Sequence, residues 1–181
     1  MRFLLEDSLL LLVDVQTKLV NAVAQRDAFI ANLKKLLNGI NALSVPVIVT
    51  EQYPKGLGGT LPEVLDLVKD APCLSKQTFS CVDDDEIFSA IRKTNKKNII
   101  LAGIEAHVCI AQTAIDLKQM GFNAMVLSDC VSSRSLEDKN VALKRFQAEN
   151  IFLGTCESIL FELTRTATLH AFRSISDIIK G

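Results

Sequence analysis

A cysteine, an aspartate and a lysine are the side chains of this sequence whose types could together carry out a nucleophilic reaction. Cys109 closes the segment "GIEAHVC", where an apolar run gives way to helical spacing. Asp14 directly follows the apolar run "SLLLLV", and Lys76 lies in the short run "CLSKQTF". A thiolate is a nucleophile, a carboxylate can accept the thiol proton, and an ammonium can offset negative charge.

Each of the three residues also has an ordinary structural explanation when it is considered alone. Asp14 could cap the next segment, Cys109 could fill space in the core, and a lone lysine is usually a solvated surface group. If Cys109 lies in the first turn of a helix, the free N–H groups and the helix dipole favour its thiolate. We then expect its pKa to lie below the value of about 8.5 for a free thiol.

Histidine is the usual base of a cysteine hydrolase, but neither histidine is well placed for this role. His107 lies two residues before Cys109, and side chains at this spacing on a helix point in different directions. His170 falls in a C-terminal segment predicted as helix. A Cys–His dyad is therefore disfavoured.

The elements that must position these residues alternate along the chain. Continuously apolar runs, which indicate strands covered on both faces, occupy residues 8–13, 45–50, 98–103, 123–128 and 150–154. Residues 73–79 are predicted as one further short strand. Helical spacing is found at 28–43, 62–69, 84–93 and 136–148, with caps predicted at Asp83 and Ser135.

This alternation predicts a single α/β domain over residues 1–181. We expect a three-layer, doubly wound, mostly parallel six-stranded sheet of Rossmann-like order 3-2-1-4-5-6. In that order the ligand site lies at the carboxyl ends of strands 1 and 4. Asp14 and Cys109 follow these two strands, so the predicted fold brings them to the same edge.

Composition limits the classes of partner. The net charge is −1, with 49% hydrophobic and 23% charged residues, which is typical of a globular protein and gives no general attraction to nucleic acid or a membrane. Five cysteines without a C-x-x-C pair predict free thiols and a reducing compartment. The apolar start lacks the other features of a signal peptide, so we expect a cytoplasmic protein.

Three motifs, "VDVQ", "KQTFS" and "GIEAHVC", resemble in order and approximate spacing the three signatures of the isochorismatase-like cysteine hydrolases. The resemblance extends from Leu9 to about Leu163. It implies a triad with Asp14 as base, Lys76 as cation and Cys109 as nucleophile. It further implies an oxyanion hole made by the backbone N–H groups of Glu105 and Cys109, with a cis peptide bond between Ile104 and Glu105.

Departures from the family pattern limit which reactions and substrates of the family we expect for this chain. Nicotinamidases of this superfamily carry a metal site with histidines between the second strand and the lysine, whereas this interval contains no histidine. We therefore expect neither a metal nor nicotinamide as substrate. Isochorismatases proper lack the nucleophilic cysteine, and "TEQYPKGLGGT" most resembles the isochorismatase domain-containing hydrolases. Charge and aromatic content give no support to the ribonuclease label of some relatives.

The resemblance therefore implies a hydrolase that cleaves an amide or related C–N bond of a small molecule through a covalent acyl-enzyme, without an organic cofactor. Side chains expected to bind the substrate are Gln16, Gln52, Tyr53 and Phe79. The alternatives are hydrolysis of another bond class and a non-catalytic scaffold. A nucleotide-binding Rossmann protein is disfavoured because "GLGG" does not follow the G-x-G-x-x-G spacing.

A homo-oligomer, dimeric or larger, is also predicted. The segment after strand 6 carries more apolar residues than docking a terminal tail requires. They are Ile159, Leu160, Phe161, Leu163, Leu169, Phe172, Ile175, Ile178 and Ile179.

Overall fold

A computed structural model describes residues 1–180 and contains one six-stranded sheet. The strands are β1 Ser8–Val13, β2 Val47–Gln52, β3 Cys73–Lys76, β4 Asn98–Ile104, β5 Asn123–Ser132 and β6 Phe152–Gly154. All neighbouring pairs are parallel, in the order β3-β2-β1-β4-β5-β6. The predicted α/β class and strand order are confirmed.

Helices cover both faces of the sheet. The longer ones are α2 Arg26–Ala42, α5 Asp85–Lys93, α6 Ala111–Gln119, α7 Leu136–Ala148, α8 Cys156–Thr164 and α9 Phe172–Lys180. Single-turn helices are α1 Thr17–Val20, α3 Pro54–Leu57 and α4 Pro62–Leu65. Helices α2, α8 and α9 contribute to one apolar cluster, and α5, α6 and α7 contribute to the other.

Strand β1 shows why the sheet requires continuously apolar sequence. Leu10 and Leu12 belong to the cluster on one face, whereas Leu9, Leu11 and Val13 belong to the cluster on the other. Each of the five is completely buried. Burying a leucine side chain contributes about 2 kcal/mol relative to leaving it in water, so β1 is a main source of the stability that holds the site edge in place.

Element boundaries differ from the prediction where side chains end the regular pairing. Strand β3 stops at Lys76, and the predicted strand residues that follow form a turn in which Thr78 Oγ1 donates to the Ser80 carbonyl at 2.8 Å. Helix α5 is capped by Asp84, not Asp83, because the Asp84 carboxylate accepts from two N–H groups of the first turn. The Ser135 cap of α7 is confirmed.

The C-terminal apolar segment packs mainly onto its own domain. Ile159, Leu160, Leu163 and Ile175 are buried in the same cluster as α2. Gly39 of α2 provides the space, since a Cβ atom there would lie 2.5 Å from the Leu160 methyl carbons. These residues therefore do not supply the exposed surface from which an oligomer was predicted.

No helix within residues 1–180 combines the length and the apolar character that crossing a membrane requires.

Candidate active site

The carboxyl ends of β1, β2 and β3 bring three polar side chains to one buried point. Val13 lies beside Thr50 in the sheet, and Gln52 lies beside Lys76. Asp14, the residue after Val13, therefore lies between the ends of its two neighbouring strands. The sheet register, which is set by apolar packing, thus positions a carboxylate, a hydroxyl and an ammonium together.

The backbone of Asp14 has an unusual conformation that directs its side chain. Its φ angle is 53°, in the left-handed region that aspartate tolerates better than most residues. The Asp14 N–H donates to the Thr50 carbonyl at 3.1 Å, and the Asp14 carbonyl accepts from the Gln16 N–H at 2.7 Å. The chain thus ends its pairing with β2 at Asp14 and turns sharply.

Asp14 and Lys76 form an ion pair that is removed from water. Lys76 Nζ lies 2.7 Å from Asp14 Oδ2, and both side chains have zero exposure. The ammonium also donates to Gln52 Oε1 at 2.7 Å and to the Thr78 carbonyl at 3.3 Å. Burial acts to lower the pKa of Lys76, but the negative charge of Asp14 and the nearby thiols outweigh burial and raise that pKa. Lys76 is therefore a charged ammonium at neutral pH.

Cys109 approaches this pair from the end of β4. It lies in a turn of π-helix, Ala106–Ile110, that precedes α6, and only 6% of the residue is exposed. Its thiol lies close enough to Asp14 for the carboxylate to raise the pKa of the thiol. The sequence prediction that these residues share one edge agrees with this arrangement.

The close approach of β4 to β1 depends on Gly103. Its φ angle is 125°, and a Cβ atom there would lie 2.0 Å from the Val13 carbonyl oxygen. Any other residue would therefore push β4 away from Asp14. The peptide bond that follows, between Ile104 and Glu105, is cis.

The electrostatic environment of Cys109 reverses the predicted direction of its pKa. Burial, and next the charge of Asp14, raise the pKa of the thiol to about 12, although Lys76 acts to lower it. The helix-start argument was wrong here because it included neither burial, which is the larger cause, nor the carboxylate, which opposes a second negative charge. At rest Cys109 is therefore a thiol beside the Asp14 carboxylate.

We expect Cys109 to be alkylated by iodoacetamide at pH 7.5 at least about tenfold more slowly than free cysteine, since little thiolate is present. Its rate should keep rising above pH 9. Peptide mass spectrometry across a pH series measures this rate at each cysteine. A rate that levels off near pH 7 would mean that the thiolate already exists and would contradict the raised pKa.

Gln16 and Gln52, both predicted to bind substrate, form hydrogen bonds with other groups of the protein. Gln16 is completely buried, and its Nε2 donates to the Gln52 and Gly58 carbonyls at 2.9 and 2.6 Å. Its Oε1 accepts from the Gln52 N–H at 2.8 Å. Gln52 in turn bonds Lys76 through Oε1 and the Gln77 carbonyl through Nε2. Gln16 therefore fastens the loop after β2, and Gln52 orients Lys76.

Tyr53 and Phe79, the other two predicted substrate-binding residues, lie at the same edge and are about half exposed, at 48% and 53%. The Tyr53 N–H donates to the Lys76 carbonyl at 2.9 Å. Its ring lies against Gly56, where a Cβ atom would be 2.3 Å from a ring carbon. Both aromatic rings are therefore available to a ligand beside Lys76.

Glu105 and His107 face the end of β5. Arg134 Nε lies 3.1 Å from Glu105 Oε1, and the Arg134 N–H donates to Oε2 at 3.2 Å. His107 Nδ1 lies 2.9 Å from Ser133 Oγ. These contacts join the segment that contains Cys109 to the residues that follow β5. The His107 ring bonds Ser133 and not the Cys109 thiol.

Sequence reasoning missed Thr50 and Cys81 at this site. Thr50 Oγ1 donates to Asp14 Oδ1 at 2.8 Å, and Cys81 Sγ lies 4.0 Å from Thr50 Oγ1. The signal for Thr50 was a hydroxyl at the end of the predicted apolar run 45–50. In the sheet this run lies beside the run that precedes Asp14. Within residues 1–180, His, Cys, Asp and Glu side chains form no group of three or more that could hold a metal ion.

Comparison with known proteins yields a family match over most of the chain. The model of the isochorismatase domain matches residues 8–158. Isochorismatase family protein 1B of Dictyostelium discoideum is 36% identical over 179 residues, which cover 97% of this chain and 87% of that protein.

Solved structures agree with the fold. The MAR1 ribonuclease of Caenorhabditis elegans superposes with a TM-score of 0.94 at 33% identity, covering 100% of this chain and 93% of that one. YcaC of Escherichia coli, described as an octameric hydrolase of unknown specificity, has a TM-score of 0.91 at 25% identity, covering 99% and 94% of the two chains.

Proposed function

Because this chain belongs to the isochorismatase family, we propose that it is a cysteine hydrolase that cleaves an amide or related C–N bond of a small molecule. The observation that carries the proposal is the buried Asp14–Lys76 ion pair beside the Cys109 thiol. Burying an ion pair gives little stability compared with well-packed apolar residues. A chemical role accounts for the pair better than packing does.

In the first half of the reaction, Cys109 Sγ attacks the carbonyl carbon while its proton moves to Asp14. The oxyanion that forms accepts hydrogen bonds from the backbone N–H groups of Glu105 and Cys109. The C–N bond then breaks, the nitrogen takes the proton from Asp14, and a thioester remains on Cys109. Lys76 stays charged throughout and stabilises each state in which Asp14 is ionised.

In the second half, Asp14 accepts a proton from a water molecule, whose oxygen attacks the thioester carbon. Collapse of the second tetrahedral intermediate breaks the C–S bond, and the sulfur regains its proton from Asp14. The products are a carboxylic acid and an amine or ammonia, and the resting thiol is restored. No metal or organic cofactor takes part, and Tyr53 and Phe79 contact the substrate.

The experiment that tests this proposal is a turnover screen with small amides, ureides and hydroxamates, in which wild type is compared with Cys109→Ala. Intact-mass spectrometry of the quenched reaction checks for an acyl adduct on the protein. Turnover that survives in Cys109→Ala would point to another bond chemistry, and no turnover or adduct on any compound would favour the scaffold alternative.

RNA is included in the same screen because three similar structures are named as ribonucleases or putative ribonucleases. Two observations disfavour it for this chain. The net charge of −1 offers no general attraction to phosphates, and Lys76 directs its ammonium to Asp14, Gln52 and Thr78. The cytoplasmic location stays a prediction.

We expect a homo-oligomer in solution, by analogy with the octameric relative. Exposed apolar side chains that could contribute to an interface are Leu136, Val141 and Phe161. Light scattering at micromolar protein should give a multiple of the 19.9 kDa chain mass. A mass equal to one chain would contradict this expectation.

A further inference from the structure

Thr50 contacts the same carboxylate as Lys76 but through the other oxygen. Its hydroxyl donates to Asp14 Oδ1 at 2.8 Å, whereas Lys76 donates to Oδ2 at 2.7 Å. Both Thr50 and Asp14 are completely buried. Since a hydroxyl carries a single hydrogen, this bond uses the only one that Thr50 has, and the two carboxylate oxygens have different partners.

The direction of that hydrogen is set by the Asp14 carboxylate, which can only accept. Cys81 Sγ lies 4.0 Å from the same Thr50 oxygen. Cys81 is itself fixed, because its N–H donates to Thr113 Oγ1 at 3.0 Å. Thr113 lies on α6, the helix that directly follows the turn carrying Cys109. These contacts run from Asp14 through Thr50 and Cys81 to α6, the helix that follows the turn containing Cys109.

The main chain of Thr50 also forms a hydrogen bond with Asp14. The Asp14 N–H donates to the Thr50 carbonyl at 3.1 Å, just where the Asp14 backbone turns into the left-handed region. Thr50 thus fixes the Asp14 backbone through its carbonyl and the Asp14 Oδ1 atom through its hydroxyl. Lys76 supplies charge and holds the other carboxylate oxygen.

From these contacts we infer that Thr50 is a positioning residue, which fixes the rotation of the Asp14 carboxylate so that one lone pair faces Cys109 Sγ. This inference rests on the proposed role of Asp14 as the base. Without the Thr50 hydroxyl, the carboxylate rotates about its last bond and keeps only its bond to Lys76. A shift of about 1 Å in a proton acceptor is enough to lower a rate by about 100-fold.

Two substitutions separate the hydroxyl of Thr50 from its packing. Thr50→Val keeps the β-branched shape in the strand and removes the hydroxyl. Thr50→Ser keeps the hydroxyl and removes the methyl group. If Thr50 acts through its hydroxyl, turnover is lost in Thr50→Val and kept in Thr50→Ser.

For the fastest substrate in the amide screen, we expect Thr50→Val to lower kcat by about 10- to 100-fold with KM changed by less than about twofold. The acidic limb of its kcat/KM profile should move to higher pH. Thr50→Ser should keep at least about a third of the wild-type kcat and an unchanged profile. Wild-type kcat in Thr50→Val, or an equal loss in both variants, would overturn the inference.

Iodoacetamide labelling of Cys109 tests Thr50 without any substrate, so failure of the proposed function does not hide the result. The rate–pH curve of Thr50→Val should lie at higher pH than that of wild type, because the Asp14 charge that opposes the thiolate loses a hydrogen-bond donor. The Thr50→Ser curve should overlie the wild-type curve within about twofold. Coinciding curves for wild type and Thr50→Val would overturn the inference even if no amide is hydrolysed.

Discussion

Turnover of the fastest amide by Cys109→Ala is expected to fall by at least about 1000-fold, because removing the nucleophile removes the covalent route entirely. Cys109 is nearly buried beside Asp14. Alanine removes one sulfur atom from the apolar cluster around it, so the fold should survive. Steady-state turnover and the unfolding midpoint, measured on the same preparations, separate the two effects.

The matched control is Cys73→Ala. Cys73 lies on β3, the strand that carries Lys76, but it is exposed, and burial together with the charge of Glu51 raises the pKa of its thiol to about 11. Its removal should leave turnover within about twofold of wild type, since surface substitutions away from a site have small effects. The acyl adduct should appear on wild type and Cys73→Ala and be absent from Cys109→Ala. An adduct that remains in Cys109→Ala would assign the nucleophile to another residue.

Apolar patterning predicted the central strands β1 and β4 well because every residue of both strands is buried. In β1 every residue is buried, so no polar side chain interrupts the run, and the sheet order then follows from right-handed crossovers. The meeting of Asp14 and Cys109 at one edge is a consequence of that order. This part of the site could be predicted from topology.

The remaining parts of the site depend on register and on electrostatics, which patterning does not contain. That Thr50 lies beside Val13 is a property of the strand pairing, and a sequence read strand by strand does not give it. The raised pKa of Cys109 arises from burial and from a charge 95 residues away in sequence. Gln16 and Gln52 were predicted to bind substrate, and their hydrogen bonds to the loop backbone and to Lys76 appear only once the strands are paired.

Replacing Lys76 by methionine should remove most hydrolysis and also destabilise the fold. Its ammonium is fully buried against Asp14, and breaking a buried ion pair leaves an uncompensated charge that costs about 3–5 kcal/mol. Because the pKa of Lys76 is raised above 10.5, its contribution is present at neutral pH and is lost only as the pH rises through that higher value.

The double variant Asp14→Asn/Lys76→Met separates the effect of an unpaired charge on stability from the effect of the changed side-chain shape. With no charge left in the pocket, its free energy of unfolding should recover by about 1–3 kcal/mol relative to the sum of the two single losses. Its turnover should stay as low as that of the worse single variant, because the base is absent. Urea unfolding at pH 7 and the amide assay provide both numbers for all four proteins. Strictly additive stabilities would mean that the two charges do not interact, and wild-type turnover in Lys76→Met would remove the lysine from the proposed mechanism.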